Sequence, residues 1–247
     1  MTIRLNKFLA DLGLASRRKA DALIEEGKVM LNHQKAKLGD KVDPSKDEVV
    51  FEGKKINSND REKPEYWVLH KPKFVLSAVS DEEKRRTAVD YFKNKTSARI
   101  FPVGRLDYES EGLLILTNDG ELTQRLTHPK YEVPKIYKVY VEGIFSPSKI
   151  ERLLSGIRLR EGYTSFDEVE VLEREGRDFV LKVVIHQGHK HEIRRLCAKV
   201  GWEVTRLLRT SIADVVNLDL AAGNVRRLTD QEVAALKKLV KLDNSAE

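Results

Sequence analysis

The stretch GRLDYESEGLLILTNDG, which begins at Gly104, constrains the fold more than any other part of the chain. It sets a loop bracketed by Gly104 and Gly112 directly before a short, continuous apolar run, LLILT. A run of this length followed at once by the turn-forming residues NDG predicts a short buried strand. Such a strand is rigid enough to position Arg105 and Asp107, two of the charged side chains in the preceding loop.

Strands and helices are mixed irregularly around this run. The segments YWVLHK, FVLSAV, YKVYVEG and FVLKVVIH are predicted to be strands, whereas ELTQRLTH, the segment after Ser146 and HEIRRLCAKVG have the apolar spacing of helices. Thr229 and Glu232 have the spacing of a capping box, which predicts one more helix near the end. Because no regular strand–helix–strand rhythm is present, we expect an α+β fold.

The N-terminal part of the chain has the pattern of a separate small domain. Apolar residues at helical spacing predict a helix over residues 2–12, and Ser16 is placed to cap a second helix, with short strands after it. The polar segment NSNDREKPE lacks an apolar period and therefore predicts a linker. The predicted organisation is a domain at 1–57, a linker at 58–65, a second domain at 66–242 and a tail at 243–247.

The charge balance favours a polyanionic partner. The chain of 247 residues has a formal net charge of +6 and a pI of about 9.2. Its single cysteine, Cys197, excludes a disulfide within the chain and fits a reducing cytosol. The polar start and the absence of a long apolar run predict neither secretion nor membrane insertion, so we expect a cytoplasmic protein.

Basic residues are concentrated at the start of the second predicted helix. Arg17, Arg18 and Lys19 lie where a helix N-terminus presents free N–H groups, and Lys28 follows in the next hairpin. Residues 1–57 carry twelve basic against nine acidic side chains. An exposed, solvated helix face is the simpler interpretation of such a cluster. The segment RLNKFLADLGLASRRKADALIEEGKVMLN, however, resembles the alpha-L RNA-binding domain, and the resemblance implies recognition of structured RNA through these side chains.

Asp107 has two interpretations when the residues are taken alone. It can close its own turn by bonding the backbone, which is the ordinary role of an aspartate in such a loop. It can also serve as a nucleophile, for which a partly shielded carboxylate must stay ionised. A cation nearby, such as Arg105, favours that charged form.

Three ordered motifs resemble the RsuA/RluB family of ribosomal RNA pseudouridine synthases. They are GRLDYESEGLLILTNDG, HPKYEVPKIYKVYVEG and HEIRRLCAKVGWEVTRLLR. The resemblance extends from Tyr66 to Leu239, and the N-terminal domain fits the domain order of the family. It implies a catalytic domain with a mixed, mainly antiparallel sheet flanked by helices. It also implies a monomeric enzyme that isomerises a uridine of ribosomal RNA to pseudouridine and requires neither a cofactor nor a metal.

The same resemblance implies roles for individual residues. Asp107 matches the catalytic aspartate, and Tyr137 matches the active-site tyrosine, although by itself Tyr137 would be interpreted as an interior strand residue. Arg194 matches the basic residue that pairs with the aspartate. Arg105 matches a residue that enters the RNA stack when the base leaves. Glu192 stands where the family usually has glutamine, which leaves the hydrogen bonding of that position open.

Further residues are expected to contact RNA. The segment 194–209 carries Arg194, Arg195, Lys199, Arg206 and Arg209 against a single acidic residue, Glu203. This segment is interpreted either as one solvated helix face or as the second part of a two-point grip on RNA, with Arg195, Arg206 and Arg209 as contacts. In HKPKFVLS, Phe74 stands where the family often has glycine, so we expect an ordinary negative φ there.

Several alternatives stay open at this point. AKLGDKV and FPVGRLDYESEG are more similar to the large-subunit than to the small-subunit enzymes, and the substrate is either naked RNA or a ribosomal assembly intermediate. A non-catalytic RNA-binding assembly factor is the first rival, and a metal-dependent ribonuclease using Asp107 and Asp119 is the second. A zinc site in HQGHKH with Cys197 is disfavoured, because the spacing fits no usual structural zinc pattern.

Overall fold

The computed structural model describes residues 2–216 and 219–242. These residues form two compact units: the described residues up to Glu65 with Asn118–Gly120, and Tyr66–Thr117 with the described residues from Glu121 onward. The segment predicted as a linker falls in the first unit and contains a 3-10 turn at Ser58–Asp60. The predicted tail at 243–247 lies outside the described residues.

The first unit consists of two helices and short antiparallel strands. Its elements are β1 (Ile3–Arg4), α1 (Leu5–Asp11), α2 (Arg17–Glu25), β2 (Val29–Leu31), β3 (Gln34–Lys35), β4 (Lys41–Val42), β5 (Val49–Phe51) and β6 (Lys54–Ile56). β1 pairs with β4, and the other strands form a sheet in the order β3-β2-β5-β6. The first helix is therefore shorter than predicted, because Ile3 and Arg4 are extended and pair with the other strand. Phe8, Leu9 and Leu23 are buried in the core of this unit.

The second unit carries the larger sheet. Its strands are β7 (Tyr66–Lys71), β8 (Phe101–Pro102), β9 (Glu111–Thr117), β10 (Lys135–Gly143), β11 (Ile157–Leu159), β12 (Gly162–Thr164), β13 (Glu168–Glu175), β14 (Asp178–Ile185), β15 (Trp202–Ile212), β16 (Val215–Val216) and β17 (Val225–Arg227). Its helices are α3 (Gly120–Thr127), α4 (Pro147–Ser155), α5 (Glu192–Lys199) and α6 (Asp230–Leu239). The first residue of α3, Gly120, is counted with the first unit. No helix in the described ranges is both long and apolar enough to cross a membrane.

The sheet of the second unit is mixed and mainly antiparallel, as expected. In the described chain its order is β13-β14-β10-β15-β9-β7-β17, with β16 added to β15 and β8 added to β9. Every pairing in this sheet is antiparallel except the short one between β9 and β15. The strand predicted at LLILT is thus an inner strand, with neighbours on both sides.

Strand β9 is buried on both faces. Leu114 and Leu116 belong to one hydrophobic core, whereas Leu113 and Ile115 belong to a second core on the opposite face. A strand covered on both faces needs apolar side chains at every position, which explains the continuous run in the sequence. Both cores therefore fix the position of the loop that precedes this strand.

The predicted strand FVLSAV is wrong, and so is the expectation for Phe74. Residues 74–79 form an irregular segment with one isolated bridge from Leu76 to Thr87. The backbone N–H of Phe74 donates to the carbonyl of Tyr108 at 2.7 Å, so this segment bonds to the neighbouring loop and not to a sheet. Phe74 has φ +62°, in the left-handed region that glycine usually occupies.

Candidate active site

Asp107 lies in the loop between β8 and β9, and local hydrogen bonds fix this loop. The hydroxyl of Ser77 accepts from the N–H of Leu106 at 3.0 Å and donates to the carbonyl of Leu106 at 2.9 Å. The N–H of Ser110 donates to the backbone carbonyl of Asp107 at 3.1 Å and closes the turn. Gly104 adopts φ +71° where the loop begins. The Asp107 carboxyl group is therefore held on a rigid backbone while remaining partly exposed.

The carboxyl group of Asp107 lines a cavity of about 180 Å³. Its walls combine polar and apolar side chains, among them Arg105, Asp107, Ser110, Tyr137, His191 and Leu207. The hydroxyl of Ser110 is buried and has no hydrogen-bond partner in the described part of the chain. An apolar cavity with a few convergent polar groups is the usual form of a site for a small planar group.

Arg209 lies next to Tyr137, one of the residues that line this cavity. Tyr137 lies on β10 directly opposite Arg209 on β15, and both side chains are buried. Arg209, which is only 2% exposed, donates from Nε to the carbonyl of Leu113 at 2.7 Å and from Nη1 to the hydroxyl oxygen of Tyr137 at 3.5 Å. Its Nη2 has no partner among the described residues. A buried guanidinium thus carries an unsatisfied donor beside the cavity tyrosine.

Gly112 makes the close approach of Arg209 possible. The register pairs Arg209 with Gly112 in the parallel contact between β9 and β15. A Cβ atom at Gly112 would lie 2.2 Å from the carbonyl oxygen of Arg209, and the residue has φ +108°. Only glycine can meet both requirements. The second glycine of the loop motif therefore brings β15, with Arg209, against the strand that follows Asp107.

Lys71 is a second buried basic residue near the site, in addition to Arg209. It ends β7 and is fully buried, and its Nζ donates to the carbonyls of Pro72 and Val75 at 2.9 Å each. Burial, together with the positive charge of nearby Arg209, lowers the pKa of Lys71 to about 8, although the negative charges of Asp107 and Glu111 act in the opposite direction. The Lys71 ammonium group therefore lies within electrostatic range of Arg209 and Asp107.

The expected pairing of Arg194 with Asp107 is absent. Arg194 instead donates from Nη1 to the carbonyl of Val204 at 2.7 Å, because α5 turns this side chain towards β15. The residue that approaches the carboxylate is His191, whose Nε2 lies 3.5 Å from Oδ1 of Asp107. This contact becomes an ion pair only when the imidazole is protonated.

The other arginines of the segment 194–209, which were expected to contact RNA, are also engaged within the protein. Arg195 donates to both oxygens of Glu161 at 2.9 Å, and Arg206 forms an ion pair with Glu111. Arg209 is buried and so does not lie on the open surface expected of an RNA contact, but it lines a groove next to the cavity. Of the arginines predicted at the catalytic end, Arg105 is the one that is exposed and also lines the cavity.

Glu192 has a defined role where the family usually has glutamine. Its Oε2 accepts the backbone N–H of His189 at 2.7 Å and so fixes the turn before α5. Its Oε1 is buried and has no partner in the described part of the chain. Burial raises the pKa of the Glu192 carboxyl group, and the N–H of His189 acts in the opposite direction.

A wider groove of about 900 Å³ adjoins the cavity and shares Arg105 and Tyr137 with it. Its walls include the basic side chains of Arg105, Lys130, Lys135 and Arg209 and the acidic side chains of Glu132 and Asp167. Positive charge is thus in excess along the groove, as a polyanion such as RNA would need to reach a recessed carboxylate. No group of three or more His, Cys, Asp or Glu side chains in residues 2–216 and 219–242 is placed to hold a metal ion.

Comparison with known proteins identifies the chemistry of this site. The family model described as RNA pseudouridylate synthase matches residues 65–199, which include Asp107, Tyr137 and Arg194. The chain belongs to the RNA pseudouridylate synthases. A second family model, the S4 domain, matches residues 3–49. The protein is therefore an RNA pseudouridine synthase, an RNA isomerase, with an N-terminal S4 RNA-binding domain.

Individual relatives agree with this assignment over nearly the whole chain. The "Ribosomal large subunit pseudouridine synthase B" of Bacillus subtilis is 41% identical over 96% of this chain and 96% of its own length. The "Dual-specificity RNA pseudouridine synthase RluF" of Escherichia coli K12 is 35% identical over 99% of this chain and 81% of its own length. A solved structure titled "Crystal structure of pseudouridylate synthase" has a TM-score of 0.67 and 28% identity, and covers 95% of this chain and 99% of that one.

The S4 domain of this synthase presents its predicted basic residues to solvent. Arg17, Arg18 and Lys19 are exposed on the first turn of α2, which the hydroxyl of Ser16 caps by accepting the N–H of Lys19 at 3.1 Å. Lys28 is also exposed, but it forms an ion pair with Glu26 at 2.8 Å. The three residues on the helix are thus the more available cations of the four.

The motifs in the sequence did not place Lys71 or His191 at the synthase site, and they indicated Arg209 only as an RNA contact and not as the partner of Tyr137. Side chains two positions apart on a strand point to the same face of the sheet. Lys71 therefore lies on the same face as buried Leu69, and Arg209 on the same face as buried Leu207, so the alternation along each strand could have indicated that both residues are buried. His191 had no comparable signal. It approaches Asp107 because it adopts φ +54° just before α5, and side-chain spacing does not report such a backbone turn.

Proposed function

We propose that this synthase converts a uridine of ribosomal RNA, in the large subunit, to pseudouridine with Asp107 as the nucleophile. The observation that carries the proposal is the convergence of Asp107 and Tyr137 on one cavity, with the guanidinium of Arg209 behind it. The large-subunit target is supported by the name of the relative at 41% identity and by the motifs AKLGDKV and FPVGRLDYESEG.

The reaction balances without an added reagent. The ionised carboxylate of Asp107 attacks the target nucleotide, and the bond between N1 of uracil and C1′ of the ribose breaks. The base turns within the cavity, and a new bond forms between C5 and C1′ while the bond between the Asp107 carboxylate and the nucleotide breaks, which regenerates the free carboxylate. C5 loses its proton and N1 gains one, so the product has the composition of the substrate. The covalent step divides one difficult exchange into two easier ones.

The neighbouring side chains have separate roles in this proposal. Tyr137 lines the cavity. In this proposal its ring packs against the extruded uracil, and its hydroxyl oxygen takes the proton from C5. Arg209, which contacts that hydroxyl, stabilises negative charge that develops on the detached base. Arg105, exposed at the cavity, enters the RNA stack at the position that the uridine leaves.

RNA binding elsewhere offsets the cost of extrusion. Removing a base from its stack costs a few kcal/mol, which the reacting nucleotide cannot supply alone. The S4 domain contributes Arg17, Arg18 and Lys19, and the groove beside the cavity contributes Lys130 and Lys135. Such contacts recognise the shape of a stem-loop, either in naked RNA or in a ribosomal assembly intermediate.

The test compares pseudouridine maps of RNA from cells with and without the gene. We expect one large-subunit position to lose its modification, to regain it with the wild-type gene, and to stay unmodified with Asp107→Asn. In vitro, release of tritium from uracil C5 should fall by about 10⁴-fold or more in this variant.

Glu109→Gln is the matched control, because Glu109 is an exposed carboxylate of the same loop and should be dispensable. A lost site in the small subunit or in another RNA would overturn the proposed target. Full activity of Asp107→Asn would overturn the proposed nucleophile.

A further inference from the structure

An exposed aromatic pair lies beside the loop of Asp107. Phe74 is 60% exposed and Tyr108 is 40% exposed. The centroids of their rings lie 5.6 Å apart, with the planes inclined at 62°, which is an edge-to-face contact. Both residues belong to the catalytic unit, and neither is a core residue. Together they present one continuous aromatic surface to solvent.

The backbone of Phe74 does not account for the presence of a phenylalanine. A bulky residue at φ +62° is strained, whereas glycine would adopt this conformation at no steric cost. The hydrogen bond from its N–H to Tyr108 depends on the backbone alone and would persist with glycine. Strain of this kind is concentrated at functional sites, where the side chain has a use outside the fold.

The position and surroundings of the pair point to RNA. Tyr108 directly follows Asp107 in the sequence, so its ring belongs to the same loop as the carboxylate that attacks the substrate. Arg105 is exposed on the other side of Asp107 in the loop. Arg85, which forms ion pairs with Asp81 and Glu83, also lies within electrostatic range of the Tyr108 hydroxyl. Aromatic faces interleaved with arginines are the surface on which unpaired nucleobases stack.

We propose that Phe74 and Tyr108 form a stacking platform for an unpaired nucleobase adjacent to the target uridine. Extrusion of the uridine removes one stacking partner from its neighbour in the RNA. The ring of Phe74 replaces that partner, and the ring of Tyr108 forms the side wall against which the base is held. This inference rests on the proposed function, because it requires an RNA substrate whose uridine reaches Asp107.

The test measures kcat and KM by tritium release from ribosomal RNA transcripts labelled at uracil C5. Phe74→Gly should raise KM about ten-fold without changing kcat, because the platform holds substrate and transition state equally. The melting temperature should not fall, since glycine relieves the strained backbone while losing the ring contact. Higher KM without lost stability is a result that a purely structural role of Phe74 would not produce.

Two further variants separate stacking from other effects. Phe74→Leu keeps an apolar side chain in the same strained conformation but has no aromatic face, so it should raise KM as Phe74→Gly does. Tyr163→Leu removes an aromatic side chain that is 77% exposed on β12, and it should leave both constants unchanged.

Each contrary outcome has a distinct meaning. Wild-type KM in Phe74→Gly, or in Phe74→Leu alone, would overturn the stacking platform while leaving the proposed function intact. Unchanged KM on transcripts with raised KM on ribosomal particles would assign the pair to a protein partner and also overturn it. Failure of the wild-type enzyme to release tritium both from these transcripts and from ribosomal particles would instead contradict the proposed function.

Discussion

At the scale of single residues, Glu192 allows a prediction with a defined sign. Its folded-state pKa is raised by burial, so the ionised form reduces stability at pH values above the folded pKa. Glu192→Gln removes that charge and keeps an oxygen that can accept the N–H of His189. We expect a melting temperature a few degrees higher at pH 7 to 8, measured by circular dichroism. The gain should disappear as the pH falls below the ordinary carboxyl value of 4.5.

Glu161 provides the contrasting control for this change. Its pKa is lowered, mainly by the hydrogen bond from Arg195, so its contribution to stability is present above its usual value and lost on acidification. Glu161→Gln should therefore give no increase in melting temperature at neutral pH. An equal increase in both variants would show that general charge removal, and not the burial of Glu192, is responsible.

Individual site residues were predictable where residue type and motif were enough. Asp107 and Tyr137, which the motifs named as site residues, line one cavity, and Arg105 is exposed beside them. The partner of the carboxylate was not predictable, because the motif containing Arg194 fixes a helix and not the direction of each side chain on it. Phe74 shows the same limit, since the need for a positive φ comes from the neighbouring loop and not from its own side chain.

At the scale of elements, the contact between β9 and β15 depends on Gly112. Gly112→Ala would place a methyl group 2.2 Å from the carbonyl oxygen of Arg209 and force the two strands apart. We expect a loss of more than about 3 kcal/mol in the free energy of unfolding, measured with urea, together with loss of tritium release. Recovery of near wild-type stability in this variant would show that the two strands can separate at little cost.

Gly162 supplies the matched control for this variant. It also has a positive φ, +132°, but a Cβ there would meet nothing within 4 Å. Gly162→Ala should therefore cost only the backbone strain of about 1–2 kcal/mol and leave catalysis intact. The difference between the two variants isolates the steric contact from the conformational preference of glycine.

Helices and strands form as predicted where the sequence has a clear apolar pattern or a capping motif. The strand at LLILT, the helix after Ser146 and the helix with the capping box of Thr229 and Glu232 all form as predicted. The predicted elements were wrong where the backbone forms hydrogen bonds with a distant segment of the chain. Pairing between β1 and β4 shortens α1, and the bond from Phe74 to the Asp107 loop prevents FVLSAV from becoming a strand.

At the scale of the whole molecule, the excess of positive charge predicts how RNA binding depends on salt. Joint replacement of Arg17, Arg18 and Lys19 by alanine should weaken binding of ribosomal RNA transcripts and reduce the slope of log affinity against log salt by about 2. Filter binding at several potassium concentrations measures this slope. The kcat of tritium release should stay unchanged, because the three side chains act on affinity.

Lys28 is the control for the same experiment. Its ammonium group is already paired with Glu26, so it has less charge available for a phosphate. Lys28→Ala should therefore change the salt slope much less than each of the three helix residues does on average. Equal effects would mean that the pair with Glu26 opens when RNA binds.

The parallel contact between β9 and β15 has a consequence for synthesis of the enzyme. Asp107 is made before the chain is half complete, yet Arg209 follows about a hundred residues later. Contacts between distant segments form late, after the intervening chain has left the ribosome. A nascent chain that has exposed Asp107 but not β15 therefore lacks the guanidinium behind Tyr137. The site behind Asp107 is thus completed only when the last long strand of the synthase has emerged.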